Sequence, residues 1–286
     1  MYSFSVMVCM VVCFACDSDN PNEQKDTLVN IRFQYTNNLA GTDKFATEVD
    51  KVNLYVFDAK GCFINEYCVP AHELQGGNTI TLNMEPGIYD FVVWGNLADA
   101  YLLCSLEKGI TNIEDCHVLL KCNENDVVDV QPTSLFFGSV SKVNVKPANS
   151  QETIALDMIK NTKSIRVITT NLDMDNIEKS FYRCSITSLG KGCKFNNTAF
   201  YDQKIEYLPM IRINDKNEFV ADFVVLHLSK NDSDNLHLVF TRNDSKGQVS
   251  ELFNKSLTEL LLPLSLHVDF QLQDSLEIDL DFGDIY

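Results

Sequence analysis

The stretch TLVNIRFQY at residues 27–35 alternates apolar and polar side chains along its length. The apolar positions of one face are Val29, Ile31, Phe33 and Tyr35. Successive side chains of a strand point to opposite faces, so a period of two predicts a strand with one buried face.

The same alternation recurs along the chain and makes strands the dominant element. The clearest further segments are VNLYVF (52–57), NTITLNM (78–84), IYDFVVW (88–94), SIRVITT (164–170), VADFVVLHL (220–228) and LHLVFT (236–241). Short strands separated by turn signals such as QGGN (75–78) favour an antiparallel sandwich over a parallel sheet with helical crossovers. Helix is a minor component, with NLADAYLLCSLE (96–107) and TNIEDCHVLLK (111–121) as the best candidates.

A second clean alternation lies at LEIDLDF (276–282). Its apolar face consists of Leu276, Ile278, Leu280 and Phe282. The preceding segment LHVDFQL (266–272) alternates in the same way, so the two segments are a candidate hairpin.

The length of 286 residues favours two domains over one. The polar, proline-bearing segment KPANSQE (146–152) separates two series of strands and suggests a boundary at about residue 150. We therefore predict one β-sandwich over residues 27–150 and a second over residues 151–286.

Composition excludes two classes of partner. The chain is 45% hydrophobic, so it can bury a core, and its formal charge is −17. That charge repels the phosphate backbone of nucleic acid and an anionic membrane surface, so we expect no nucleic-acid partner.

The amino-terminal 15 residues are uncharged and mostly apolar, which is typical of a signal peptide and too short for a membrane span. Ala15 followed by Cys16 is similar to the end of a bacterial lipoprotein signal, in which the cysteine carries lipid. The alternative is an ordinary secretory signal cut near Ala15. Residues 16–26 are polar and acidic, and we interpret them as a tether.

No motif predicts catalysis, a cofactor or a metal site. The five histidines, namely His72, His117, His227, His237 and His267, are scattered without a zinc-ligand spacing. Trp94 is the only tryptophan, and a core position is favoured over a sugar-stacking platform because no run of aromatic residues surrounds it.

Ten cysteines are many for a reducing compartment and suggest export. Six of them are candidates for disulfides because they fall in three closely spaced pairs: Cys62 and Cys68, Cys116 and Cys122, and Cys184 and Cys193. The spacing is too wide for a typical zinc site, and buried thiols remain the alternative. The sequence does not determine which of these cysteines form disulfides with each other.

Four segments together resemble, in order and spacing, the fimbrillin-associated anchor family of Bacteroidales fimbriae. They are VNLYVFDAKGCFINEY (52–67), LNMEPGIYDFVVWGNL (82–97), LFFGSV (135–140) and TIALDMIKNTKSIRVIT (153–169). The lipoprotein-like start agrees with this resemblance, since a cysteine followed by acidic residues resembles the surface-export label of Bacteroidetes lipoproteins.

The resemblance implies two tandem transthyretin-like antiparallel β-sandwiches on a lipid tether at the outer membrane. It implies an anchor that attaches a fimbrial shaft subunit and limits its length, with no enzymatic step and no small-molecule substrate. Alternatives are a stalk or tip subunit, or a surface lipoprotein that binds glycans.

A neighbouring subunit could bind by strand complementation, in which an extended segment pairs with open backbone groups at a sheet edge. The candidate exchange strand is either the amino-terminal set of Val29, Ile31, Phe33 and Tyr35 or the later set of Leu276, Ile278, Leu280 and Phe282. The direction of exchange is left open by the sequence.

Overall fold

The computed structural model describes residues 26–147, 152–172, 182–201, 203–226, 228, 235–243, 246–261, 269 and 272–283. The strands up to residue 160 are β1 (Thr27–Gln34), β2 (Lys51–Asp58), β3 (Phe63–Pro70), β4 (Thr79–Met84), β5 (Gly87–Gly95), β6 (Tyr101–Leu103), β7 (His117–Leu120), β8 (Val127–Val128), β9 (Phe136–Val145), β10 (Glu152–Asp157) and β11 (Ile159–Lys160).

The later strands are β12 (Thr162–Thr170), β13 (Tyr182–Ser188), β14 (Gly192–Lys194), β15 (Ala199–Phe200), β16 (Ile205–Tyr207), β17 (Met210–Ile213), β18 (Phe219–Leu226), β19 (Leu236–Asn243), β20 (Val249–Ser256) and β21 (Ser275–Asp281). Within the described residues, the helices are α1 (Phe45–Glu48), α2 (Leu257–Leu261) and the 3-10 helices Ala71–Glu73 and Ile113–Asp115. The prediction of an all-β protein with minor helix is confirmed.

The first sandwich consists of two sheets, ordered β10-β1-β4 and β11-β9-β5-β2-β3. Alternation places Ile31 and Phe33 of β1 inward, where they join Leu54 of β2 and Phe91 of β5 in one core. All four side chains are fully buried. The alternation at residues 27–35 therefore arises because one face of β1 is buried, as predicted.

The second sandwich consists of the sheets β17-β18-β12-β21 and β20-β19-β13-β16-β8. Its core includes Val167 of β12, Phe223 of β18, Ile186 of β13 and Leu238 of β19, all of which are buried.

The boundary predicted at residue 150 falls before β10, whereas strand pairing assigns β10 and β11 to the first sandwich. β10 lies parallel to β1, with Val29 opposite Glu152 and Gln34 opposite Asp157. The predicted boundary therefore falls between strands of the first sandwich. Apart from β8, which pairs with β16 of the second sandwich, the strands up to Lys160 belong to the first sandwich or to a further sheet described below.

The two sandwiches follow one plan, although no repeat is visible in the sequence. In each, a strand from early in the sandwich pairs in parallel with a late one, as β1 does with β10 and β12 does with β21. An antiparallel strand flanks the early strand on its other side, β4 beside β1 and β18 beside β12.

A third four-stranded sheet, here named the joining sheet, has the order β15-β14-β7-β6. It takes two strands from each part of the chain, with Leu119 of β7 opposite Gly192 of β14. The predicted helices over 96–107 and 111–121 are wrong, because β6 and β7 lie in these segments. Pairing with a distant strand and burial of Val118 and Leu120 override the local helical pattern.

The sheet that contains β2 and β5 is buried on both faces. Phe91 and Val93 belong to the first core, whereas Val92 and Trp94 belong to the other core. A sheet covered on both faces requires a continuous apolar run, which is what FVVW at 91–94 is. The core position predicted for Trp94 is confirmed, since the residue is 0% exposed and its ring centroid lies 4.9 Å from that of Phe137.

Candidate subunit-docking strands

The amino-terminal candidate strand is closed on both sides. β1 pairs in parallel with β10 and antiparallel with β4. Its inward residues Val29, Ile31 and Phe33 are fully buried, as is Tyr35 just after the strand. Its release would break two ladders of hydrogen bonds and open the first core.

The later candidate strand lies at a sheet edge. Among the described residues β21 pairs with β12 alone, in parallel, from Ser164 opposite Ser275 to Thr170 opposite Asp281. The candidate side chains of this strand all point inward and are buried: Leu276, Ile278, Leu280 and Phe282. The backbone groups on the outer side of β21 therefore have no strand partner within the described part of the chain.

The opposite edge of the same sheet is β17, which the sequence reasoning missed. Met210, Ile211 and Ile213 are 62%, 51% and 42% exposed, and the strand pairs only with β18 in the described residues. The sequence MIRI at 210–213 does not alternate apolar and polar residues, so alternation does not predict this strand. Edge strands usually carry charges that block pairing, and Arg212 is the only charged residue here.

An ionic cluster connects the start of β21 with the first sandwich. Asp274 accepts a hydrogen bond from the Tyr35 hydroxyl at 2.9 Å and lies 3.5 Å from Nζ of Lys163. Lys160 lies 3.9 Å from Asp274 and 3.1 Å from Glu48, which extends the cluster to α1. This cluster therefore links the end of β1 to the start of β21.

Burial governs the titration of this cluster. Desolvation lowers the pKa of Lys163, whose side chain is 3% exposed, and the charge of Asp274 opposes that effect. Burial also raises the pKa of Tyr35, reinforced by its hydrogen bond to Asp274 and by that carboxylate's charge. Asp274 is thus the anion that offsets the cost of burying Lys163.

The six cysteines predicted as disulfide candidates are free thiols in the structure: Cys62, Cys68, Cys116, Cys122, Cys184 and Cys193. Cys184 lies in β13 and Cys193 in β14, which belong to different sheets. Disulfide formation by these six cysteines stays a prediction. Cys104, which the sequence reasoning left out, is also a free thiol.

Other predicted features give no site. Among the described residues there is no group of three or more His, Cys, Asp or Glu side chains that could hold a metal ion. His117 stacks on Phe200 of the joining sheet, with ring centroids 4.6 Å apart, and Nδ1 of His237 lies 3.1 Å from Oδ1 of Asn254. Cys16, His227 and His267 lie outside the described residues, as does most of the predicted strand at 266–272.

No helix in the described part of the chain is long and apolar enough to cross a membrane. In the described residues, tandem sandwiches with open sheet edges and a joining sheet define an all-β protein built of two β-sandwiches. A sequence profile of the fimbrillin-A associated anchor proteins Mfa1 and Mfa2 matches residues 18–286, and the chain belongs to this family.

Solved structures share the fold. The fimbrial anchor protein Mfa2 from Porphyromonas gingivalis has a TM-score of 0.76 at 20% identity, with 90% of each chain covered. A protein from Bacteroides thetaiotaomicron, proposed to bind polysaccharide, has a TM-score of 0.76 at 22% identity, with 89% of this chain and 90% of that chain covered. A protein from Bacteroides ovatus, proposed to be an adhesin, has a TM-score of 0.75 at 19% identity, with 89% of each covered. No curated protein sequence matches the chain.

Proposed function

We propose that this chain anchors a fimbrial shaft at the outer membrane surface and limits its length. Lipid on Cys16 attaches the chain to the membrane, and residues 16–26 separate the lipid from the first sandwich. Membership of the anchor family supports the fimbrial role, and no enzymatic step is part of the proposal.

Strand complementation through β21 is the proposed contact with the shaft subunit. The observation that carries it is the edge position of β21, which pairs with β12 alone in the described residues. A neighbour's extended segment could pair with the outer side of β21, or β21 could be exchanged, and either route satisfies open backbone groups. β1 is the less suitable candidate because strands flank it on both sides.

Removal of residues 275–286 tests this contact and retains Asp274 with its hydrogen bonds. We expect the truncated chain to lose shaft attachment in cells, and the purified protein to bind a peptide of residues 275–286 in the groove beside β12. Circular dichroism of the truncated protein checks that it still folds. Unchanged attachment and length of fimbriae on cells with the truncated chain would rule out β21 as the contact.

Two experiments test the wider proposal. Deletion of the gene should give long fimbriae that are shed, whereas normal fimbriae with lost adhesion would indicate a tip subunit instead. Cys16→Ala should abolish palmitate labelling and membrane association, with Cys68→Ala as a control that retains both. Continued labelling of Cys16→Ala would contradict the lipid anchor.

Glycan binding receives less support. The only tryptophan is buried, and Tyr201, at 50% exposure, is the one aromatic residue among the large exposed apolar side chains of the described residues. Saturable binding on a glycan array that Tyr201→Ala abolishes would favour the glycan-binding alternative.

A further inference from the structure

The antiparallel ladder between β6 and β7 brings together two cysteines, Cys104 and Cys116. β6 and β7 pair up to Leu103 opposite Val118, and the Cys104 N–H then donates to the His117 carbonyl oxygen at 3.1 Å. Cys104 follows β6 and Cys116 precedes β7, so both lie at the same end of this ladder.

Cys104 and Cys116 lie next to neighbouring strands at this end of the ladder, and each side chain is close enough to shift the pKa of the other. The His117 backbone N–H also donates to Sγ of Cys104 at 3.3 Å, and Sγ of Cys116 lies 3.3 Å from the Asn112 carbonyl oxygen. Cys116 is fully buried, whereas Cys104 is only partly buried.

Their surroundings make Cys104 the more acidic of the two thiols. The neighbouring Cys116 side chain lowers the pKa of Cys104 below its usual value, with help from the His117 N–H and against the effect of burial. The Cys104 side chain and burial raise the pKa of Cys116, and the charge of Asp115 adds to the rise. Cys104, which is also the more exposed, is therefore suited to attack a disulfide, and the buried Cys116 is suited to resolve the mixed disulfide.

We propose that Cys104 and Cys116 form an intramolecular disulfide by exchange with a disulfide donor. The Cys104 thiolate attacks one sulfur of the donor, which forms a mixed disulfide and releases the first donor thiolate. Cys116 then loses its proton and attacks Sγ of Cys104, which releases the second donor thiol. The two cysteines lose two electrons and the donor gains them, with the protons ending on the donor thiols.

The cross-link would close the segment between the two cysteines against the first sandwich. Within this segment, Gly109 N–H donates to the Phe63 carbonyl oxygen at 2.8 Å and Thr111 accepts from the Phe63 N–H at 2.8 Å. Ile113 N–H donates to the Gly61 carbonyl oxygen at 2.8 Å. The disulfide would therefore strengthen the connection between the joining sheet and the turn between β2 and β3. This inference does not depend on the proposed fimbrial function.

The test uses the reduced full chain, oxidised glutathione as donor and alkylation of remaining thiols. Mass spectrometry follows digestion with trypsin and a glutamate-specific protease, since cleavage after Glu85 and Lys108 places Cys68, Cys104 and Cys116 in different peptides. We expect a linked pair of peptides that contain Cys104 and Cys116. Cys68, which is exposed, should instead retain a glutathione mixed disulfide.

Matched variants separate the two steps. Cys116→Ser should leave Cys104 as a lasting mixed disulfide, Cys104→Ser should leave Cys116 unmodified, and Cys184→Ser, a change at another buried thiol, should leave the cross-link intact. A lasting mixed disulfide on Cys104 in the unaltered chain would overturn the proposal. Alkylation of Cys104 no faster than that of Cys68 at neutral pH, without any cross-link, would also overturn it.

Discussion

β1 and β21 carry the same alternating pattern, and each has a parallel partner, yet they occupy opposite positions in their sheets. β1 lies between β10 and β4, whereas β21 pairs with β12 alone in the described residues. The inward side chains of both strands are buried, so the burial of a face does not distinguish them.

Hydrophobic alternation therefore identifies the buried face of a strand but not its hydrogen-bonded neighbours. A central strand loses two ladders when it leaves the sheet, and an edge strand loses one. β21 is therefore the strand of the two that can exchange or receive a partner at the lower energetic cost.

The largest effect that we expect separates the two strands by core truncation. Phe33→Ala in β1 removes a fully buried ring that stacks on Phe45 and should destabilise the protein by about 4 kcal/mol. Phe282→Ala, just after β21, should cost less, about 3 kcal/mol, because the edge backbone can move into the cavity. Urea unfolding measures the free energy of unfolding of both variants. Equal losses would contradict the expected difference between a central strand and an edge strand.

The next largest effect concerns the ionic cluster that joins β1 and β21. Asp274→Asn leaves the buried Lys163 ammonium without its carboxylate and should cost about 2 to 3 kcal/mol. Lys163→Met replaces the charge with an apolar chain and should cost clearly less. Chemical denaturation at pH 7 compares the two, and a larger loss for Lys163→Met would contradict the assigned role of Asp274.

A smaller effect tests whether the sandwiches are also held together away from this cluster. A Cβ atom on Gly192 would lie 2.1 Å from the Val118 carbonyl oxygen, so Gly192→Ala must push β14 away from β7. We expect a loss of about 2 kcal/mol by thermal unfolding, as for other overpacked sites.

The matched control is Gly76→Ala, since a Cβ there meets nothing within 4 Å. It should leave stability nearly unchanged. Equal stability of the two glycine variants would mean that the pairing of β7 with β14 contributes little to the stability of the protein.

The smallest effect lies at the hydroxyl that links the end of β1 to the start of β21. Tyr35→Phe removes one hydrogen bond to Asp274 and should cost about 1 kcal/mol at neutral pH. The midpoint of urea unfolding at pH 7 measures this loss of stability.

The same variant has a defined pH dependence. The pKa of Tyr35 is raised in the folded state, so its contribution to stability is complete below the unfolded pKa of about 10 and is lost as pH rises above that value. Tyr35→Phe should therefore show a shallower loss of stability above pH 10 than the unaltered chain. An identical alkaline slope would contradict this assignment.

Sequence reasoning predicted the strands at 27–35 and 276–282, their inward residues and the core position of Trp94, because these depend on local periodicity and composition. It missed β17, which has no alternation, and it predicted helices where β6 and β7 lie. It also left Cys104 out of the candidate cysteines, since spacing along the chain does not show which residues meet across a ladder.

The amino-acid sequence was sufficient to predict an all-β chain with defined inward faces, because the two-residue period of a strand is a local property of the backbone. The fold was needed to show that β1 is central, that β21 lies at a sheet edge in the described residues, that β10 belongs to the first sandwich, and that Cys104 and Cys116 lie at the same end of one ladder. Each of these depends on which distant backbone groups satisfy a strand's hydrogen bonds, and no local pattern specifies that partner.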